Sequence, residues 1–280
     1  MKKDEFPVIP PERADDLHNL EMAETADLVL FMAGNQFMAM DEIVGSFQAV
    51  HPDVKNIFYE TLPPGLELKQ ILARGARFRD RLLTVYPDIY SSVSEKSMRI
   101  LADLGHIEEN AFQLYLHNRL TLMVPQGNPA AVRSVHDLGR DGIRISQPDP
   151  ENEDIAIHII DMYLQAGGPE LVQRIMNEKR ARGTTLLTEV HHRQTPRRLL
   201  AGEVDVGPVW ATEAEHARSL GLPLEDVAPG ADFDQRHRIN YYICQLTGGR
   251  NRENGRRFLE FIRSGRAGEI YRKYGFLPHE

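Results

Sequence analysis

Asp27-Leu28-Val29-Leu30-Phe31-Met32-Ala33, followed at once by Gly34-Asn35-Gln36, is the stretch whose reading decides the fold. A short unbroken apolar run closed by a Gly-Asn turn has the pattern of a strand buried on both faces of a parallel sheet. Beyond it, apolar residues recur at Phe37, Met40, Ile43, Val44, Phe47 and Val50, a helical spacing that His51-Pro52 ends. Residues 54–59 read as a second strand. Pro63-Pro64-Gly65 is a sharp loop, and Leu66, Leu68, Ile71 and Leu72 resume a helix. Strand, loop and helix in repeated alternation mark an α/β unit with a parallel sheet.

The same grammar returns later in the chain. Residues 120–125 form a strand closed by Gln126-Gly127-Asn128-Pro129, and residues 143–146 form another. A helix is expected from about Glu153 to Gly167-Gly168. Thr195-Pro196 opens the next one, as N-cap and first helical residue. Residues 204–207 and 241–246 read as strands, and two amphipathic helices, near Phe258 and near Ile270, close the chain. Residues 1–24, punctuated by Pro7, Pro10 and Pro11, read as an extended lead-in.

Bulk properties bound the function. A chain of 280 residues is long for one core, so two globular units are expected. A composition of 41% apolar and 26% charged residues is that of a globular protein. The longest apolar stretch is far short of the roughly 20 residues a membrane helix needs, so no membrane insertion is expected. A net charge of −8 argues against a nucleic-acid partner. The single cysteine, Cys244, excludes an intramolecular disulfide and a cysteine-based zinc site, and reads as a buried strand residue. No Gly-rich dinucleotide fingerprint, phosphate loop, Gly-x-Ser-x-Gly elbow or His-Glu-x-x-His occurs, and no cofactor is expected.

In open α/β sheets, ligands sit beyond the carboxyl ends of strands. Four loops qualify here. The first carries Asn35 and Gln36, side chains that both donate and accept; the second begins at Glu60 and Thr61. The third, 147–154, ends in Glu153 and Asp154, which read first as first-turn helix acids and, as the alternative, as partners for a ligand's cationic group. The fourth holds His191, His192, Arg193 and Thr195, where Arg193 offers a planar fork for an oxyanion or carboxylate. Adjacent histidines on extended backbone face opposite ways, so at most one joins a metal site, with His192, Glu153 and Asp154 as candidates. Trp210, the sole tryptophan, ends a strand and reads as a ligand cover or a core residue.

In unbroken order over residues 27–277, these landmarks resemble the periplasmic molybdate-binding proteins and their relatives, the type II solute-binding proteins of ABC transporters. Asp88-Ile89-Tyr90-Ser91-Ser92-Val93-Ser94, with Met98 and Leu101 after it, is similar to one family stretch. Gly202-Glu203-Val204-Asp205-Val206-Gly207-Pro208-Val209-Trp210 is similar to another, as are 258–264 and Tyr274-Gly275-Phe276 at the end. The resemblance implies a two-lobed α/β fold, each lobe a mostly parallel sheet flanked by helices. Residues 25–120 and 245–280 would form the first lobe and 121–244 the second. Two crossing strands near Leu120 and Tyr241 would serve as hinge.

It further implies a small polar ligand in an interlobe cleft, an ABC permease as partner, a monomer, and a periplasmic or extracellular mature form without its leader. Ser91 joins the candidate ligand residues on this ground. The family's oxyanion ligands (its serines, amides and a tyrosine) meet Asn35, Pro63-Pro64-Gly65, Glu153-Asp154 and Trp210 at matching positions. Molybdate or tungstate, another anion or organic solute, and a metal ion or chelate stay open as ligands. A cleft enzyme using His192 and a carboxylate as acid and base is the reading from a different class.

Overall fold

The computed structural model describes residues 6–151, 153–188 and 193–279. Its strands, in chain order, are β1 (Val8–Ile9), β2 (Leu17–His18), β3 (Leu28–Phe31), β4 (Ile57–Glu60), β5 (Ala76–Phe78), β6 (Arg81–Leu83), β7 (Ile89–Ser92) and β8 (Phe112–His117). They continue as β9 (Leu120–Pro125), β10 (Ile145–Gln147), β11 (Thr185–Leu187), β12 (Gly207–Trp210), β13 (Leu224–Val227), β14 (Asn240–Gln245) and β15 (Leu277–Pro278). The α-helices are α1 (Phe37–Val50), α2 (Pro64–Ala73), α3 (Glu95–Asp103), α4 (Ile155–Gln173), α5 (Gln194–Leu200), α6 (Ala211–Ser219), α7 (Arg252–Ile262) and α8 (Gly265–Lys273). The chain divides into two compact units. Unit 1 comprises 1–116, 240–273 and 277–280; unit 2 comprises 117–239 and 274–276.

Unit 1 is built on a seven-stranded sheet of order β15-β8-β14-β7-β3-β4-β2. The apolar run at its centre is β3, parallel to both β4 and β7, with Phe31 opposite Glu60 on one side and Tyr90 on the other. All four β3 residues are buried, as the unbroken pattern requires of a strand covered on both faces. Phe31, Phe58, Tyr90, Met98 and Leu101 share one core cluster. Each such side chain contributes about 1.5–3 kcal/mol on burial. Asp88 ties the centre together. Its carboxylate accepts from the Val29 amide (2.9 Å) and from the Asn251 amide (2.8 Å) and side chain (3.1 Å), which joins β3, β7 and the entry to α7. Cys244 is buried on β14.

The lead-in proves to be a docked segment. β1 pairs in parallel with β5, β2 pairs antiparallel with β4, and Ile9 and Leu17 are buried with Leu62, Phe78 and Leu83. Its prolines hid the two strands because each is only two residues long, below any periodicity signal.

In unit 2 the entering strand β9 is antiparallel to both neighbours, β12 and β13, so the expectation of mostly parallel strands does not describe this sheet. β10 and β11 are parallel, and a parallel bridge joins Ile145 to Val206, the residue before β12. The carboxyl ends of β10, β11 and β12 therefore point the same way. The strand expected at 204–207 lies further on, at Gly207–Trp210. Helix α4 breaks where Gly167-Gly168 suggests, with Gly168 at φ 65°, but Pro169 starts a second helical segment directly. That segment runs on into a π-helical turn, Arg174–Lys179. There the buried Lys179 ammonium donates to the Arg140 and Ile143 carbonyls, both at 2.7 Å. Among the described residues no helix is long and apolar enough to cross a membrane.

Candidate functional site

Because β3, β4 and β7 are parallel, the residues that follow them gather at one edge of unit 1. Gln36 and Ser91, both fully buried, face inward there. Gln36 Nε2 donates to Ser91 Oγ (3.1 Å), and Gln36 Oε1 accepts from Tyr115 (2.8 Å) and Tyr271 (2.8 Å). Tyr115's one proton is thus committed to Gln36, so in the 2.8 Å contact of Ser91 with Tyr115 the serine donates. Gln36, Ser91 and Tyr115 form a closed hydrogen-bond ring. Asn35 is also buried and donates its amide to the Tyr241 hydroxyl.

Glu60 and Thr61 are buried beside them. Burial pushes the Glu60 carboxyl up to about 8, against an opposing hydrogen bond from Gln70 Nε2 (2.9 Å). At neutral pH it is mostly the uncharged acid. The Thr61 hydroxyl lies 3.4 Å from His18 Nε2. Unit 1 therefore presents neutral groups at these strand ends.

Unit 2 differs. Glu153 is buried, where Thr188 donates to its carboxylate. Asp154 immediately precedes α4 and keeps an exposed face, while the protein around its other sides raises its carboxyl above the ordinary value. Arg193 is half-buried at the entry to α5, which starts at Gln194 rather than after Thr195. Thr195 does not cap that helix. Its hydroxyl meets Ser146 Oγ at 2.9 Å, and its methyl group lies where a Cβ on Gly207 would fall, 2.3 Å away, so only glycine fits there. Arg198 fastens the same corner, donating to the Leu186 and Leu187 carbonyls (3.1 and 2.9 Å). Trp210 is 2% exposed, its ring centroid 5.8 Å from that of His158 on α4. Burial lowers the His158 pKa, so the imidazole against Trp210 favours its neutral form.

The structure thus brings Gln36 to Ser91, and sets Glu60 beside Thr61. It binds Glu153 and Thr195 to neighbours the sequence did not single out, Thr188 and Ser146. His191 and His192 lie outside the described residues. Among the described residues no group of three His, Cys, Asp or Glu side chains is placed to hold a metal ion. Tyr115, Tyr241 and Tyr271 carry the hydrogen bonds of unit 1's edge yet lie on three distant elements, so no local spacing announces them. Ser146, ending an expected strand, offered the one usable signal.

An α/β chain in two compact units, with polar loops at the carboxyl ends of its strands, has the build of a type II periplasmic binding protein. The model of the bacterial extracellular solute-binding protein family matches residues 28–277, and the chain belongs to that family. Its fold is similar to that of the Azotobacter vinelandii periplasmic molybdate-binding protein, with TM-score 0.69 and 17% identity over 90% of this chain and 100% of that one. The sulfate-binding protein SubI of Mycobacterium tuberculosis H37Rv gives TM-score 0.71 and 17% identity over 90% and 86% of the two chains. AfuA of Actinobacillus pleuropneumoniae, holding exogenous fructose-6-phosphate, gives 0.66 and 16% over 90% and 83%. In sequence, YvgL of Bacillus subtilis (strain 168), whose name assigns it provisionally as an ABC transporter substrate-binding lipoprotein, is 23% identical over 195 residues. That match covers 68% of this chain and 66% of YvgL, just under two thirds of the relative's length.

Proposed function

We propose that this solute-binding protein serves an ABC-type uptake system, and that its ligand is a small organic anion carrying hydroxyl or amine groups. The observation that carries the ligand class is the placement of carboxyl groups among the strand-end loops. Glu153 and Asp154 stand at the entry to α4. A bare dianion such as molybdate is repelled by carboxylates, whereas a ligand with its own donors satisfies them. The hydroxyls that would cradle such a dianion, Ser91 and Thr195, are engaged with Tyr115 and Ser146. Arg193 supplies the positive fork for the ligand's anionic end.

The molybdate, sulfate and sugar-phosphate ligands of the structural neighbours support an anion. Family members are binding proteins, and this reading gives the chain no catalytic step. It acts outside the cytoplasmic membrane, as a monomer, and delivers its ligand to a permease.

Thermal-shift screening tests the ligand class. A ligand at 100 times its Kd adds about 2.7 kcal/mol, which for a chain of this size raises Tm by about 5–10 °C. Hydroxy acids and sugar phosphates should give the largest shifts, and Arg193→Ala should weaken them about 10–100-fold. A large shift with molybdate or tungstate and none with organic anions overturns the ligand class. A shift with ferric or divalent metal alone turns it to a chelate.

A further inference from the structure

Unit 2 contains a cavity of about 770 Å³ that none of the strand-end candidates among the described residues lines. Its walls are the start of β9 from Arg119, the return segment from Ala228 to Arg238, and Gln165 of α4. Gln235 is its most telling wall residue. It is 5% exposed, and its Nε2 donates to Gln165 Oε1 (2.8 Å) and to the Phe233 carbonyl (3.4 Å). Those two acceptors fix the orientation of the amide, and among the described residues Gln235 Oε1 is left buried without a hydrogen-bond partner. The backbone there is left-handed, φ 59°, and its carbonyl accepts from the Arg238 (2.8 Å) and Ile239 (3.2 Å) amides. A buried acceptor without a donor is costly, so a residue held this firmly in that state points to a donor supplied from outside.

The charges on the same wall say what accompanies that donor. Arg236 pairs with Asp234, Arg238 with Asp161, and Asp226 with Arg218. Arg119 and Arg133 form no ion pair or side-chain hydrogen bond among the described residues, although Arg119 lies within electrostatic range of Asp234. Asp232, exposed at the rim, contributes one opposing charge. Two uncommitted guanidinium groups favour anionic oxygens. An oxyanion without a proton would set one of its oxygens against Gln235 Oε1, acceptor to acceptor. We propose that this cavity is a second ligand site, for a small anion that also carries an O–H, of which hydrogen phosphate is the simplest member.

The test titrates the full chain at pH 7 with inorganic phosphate and with sulfate, which keeps no proton. Calorimetry measures affinity, and the side-chain N–H resonances of Gln235 and Arg119 report the place. Phosphate should shift both resonances saturably, with sulfate at least 10-fold weaker. The double variant Arg119→Ala/Arg133→Ala should lose at least 10-fold in phosphate affinity with an unchanged Tm, since neither side chain makes an ion pair among the described residues. Gln235→Glu, of the same shape, should lose binding as well by placing a carboxylate in the cavity. Arg193→Ala should leave phosphate binding at this place as it was. The proposal is overturned if phosphate leaves the Gln235 resonance unmoved, if sulfate binds equally, or if the double variant binds as the parent does. It is overturned equally if Arg193→Ala abolishes the phosphate signal, which would assign the anion to the strand-end loops.

Discussion

At the strand ends of unit 1, Gln36, Ser91, Tyr115 and Tyr271 bond one another in a dry interior, and the nearby Glu60 is held neutral. At those of unit 2, Asp154 stands open to solvent, Glu153 is an acid beside it, and Arg193 is half-buried. One edge is a fixed set of uncharged dipoles; the other sets a buried acid, Glu153, beside Asp154 and Arg193 nearer the surface. On the proposed reading of these loops as the ligand site, the difference separates two tasks. Uncharged groups that satisfy one another hold their loops in one geometry at little electrostatic cost, which preorganises a site. Charges left near solvent discriminate among ligands, because sign complementarity favours one partner and rejects others.

The sharpest way to break this contrast is Gln36→Leu. It removes the acceptor of Tyr115 and Tyr271 and the donor to Ser91, and leaves buried hydroxyls unsatisfied. The expected loss is about 2–4 kcal/mol of stability, read from denaturant unfolding. An unchanged midpoint with lost ligand binding would instead make Gln36 a ligand contact.

Glu60→Gln should come next. The unfolded chain releases the Glu60 proton near the ordinary carboxyl value of 4.5, while the folded protein keeps it until about 8. Between those pH values the folded state holds the extra proton. Stability contributed by Glu60 is therefore full below pH 4.5 and declines as pH rises toward 8, on the order of 1 kcal/mol per pH unit. Glutamine mimics the neutral acid and can still accept from Gln70. The variant should flatten the decline of Tm between pH 5 and 8 and be more stable than the parent at pH 8. A parent protein whose Tm rises over that interval, with a variant that follows it, would remove the neutral-acid assignment.

The smallest effect is expected in unit 2. Asp154→Asn should change stability by less than about 0.5 kcal/mol, since the carboxylate keeps an exposed face. It should weaken an organic ligand carrying a donor by roughly 3–10-fold and strengthen a bare oxyanion by a similar factor. Opposite signs in the two titrations would sharpen the contrast. An Asp154→Asn variant blind to both ligands would erase it.

The parts of the fold legible in the sequence are those with long local signals. The β3 run, the α1 spacing and the break at Gly167-Gly168 announce themselves because burial on both faces, helical period and glycine conformation each act over a few residues. β1 and β2 were too short to register, and the antiparallel course of β9 depends on partners about 85 and 100 residues away, beyond any local pattern. The candidate site follows the same division. The sequence located the loops, because loops after parallel strands must emerge at one edge. It could not say which of their polar groups are turned inward. Asn35, Gln36, Ser91 and Thr195 look like ligand groups by residue type, yet each has its hydrogen bonds taken by a residue far away in the chain.

By itself, then, the sequence determined the alternation of strands and helices, a consequence of hydrophobic period and local turn chemistry, while its length pointed to two units and the resemblance of its landmarks to the family. The tertiary structure alone decided which polar side chains are satisfied inside the protein and which remain available, and it revealed the cavity at Gln235. The physical reason is that a hydrogen bond needs its two groups within about 3 Å, and only the folded chain brings distant residues that close.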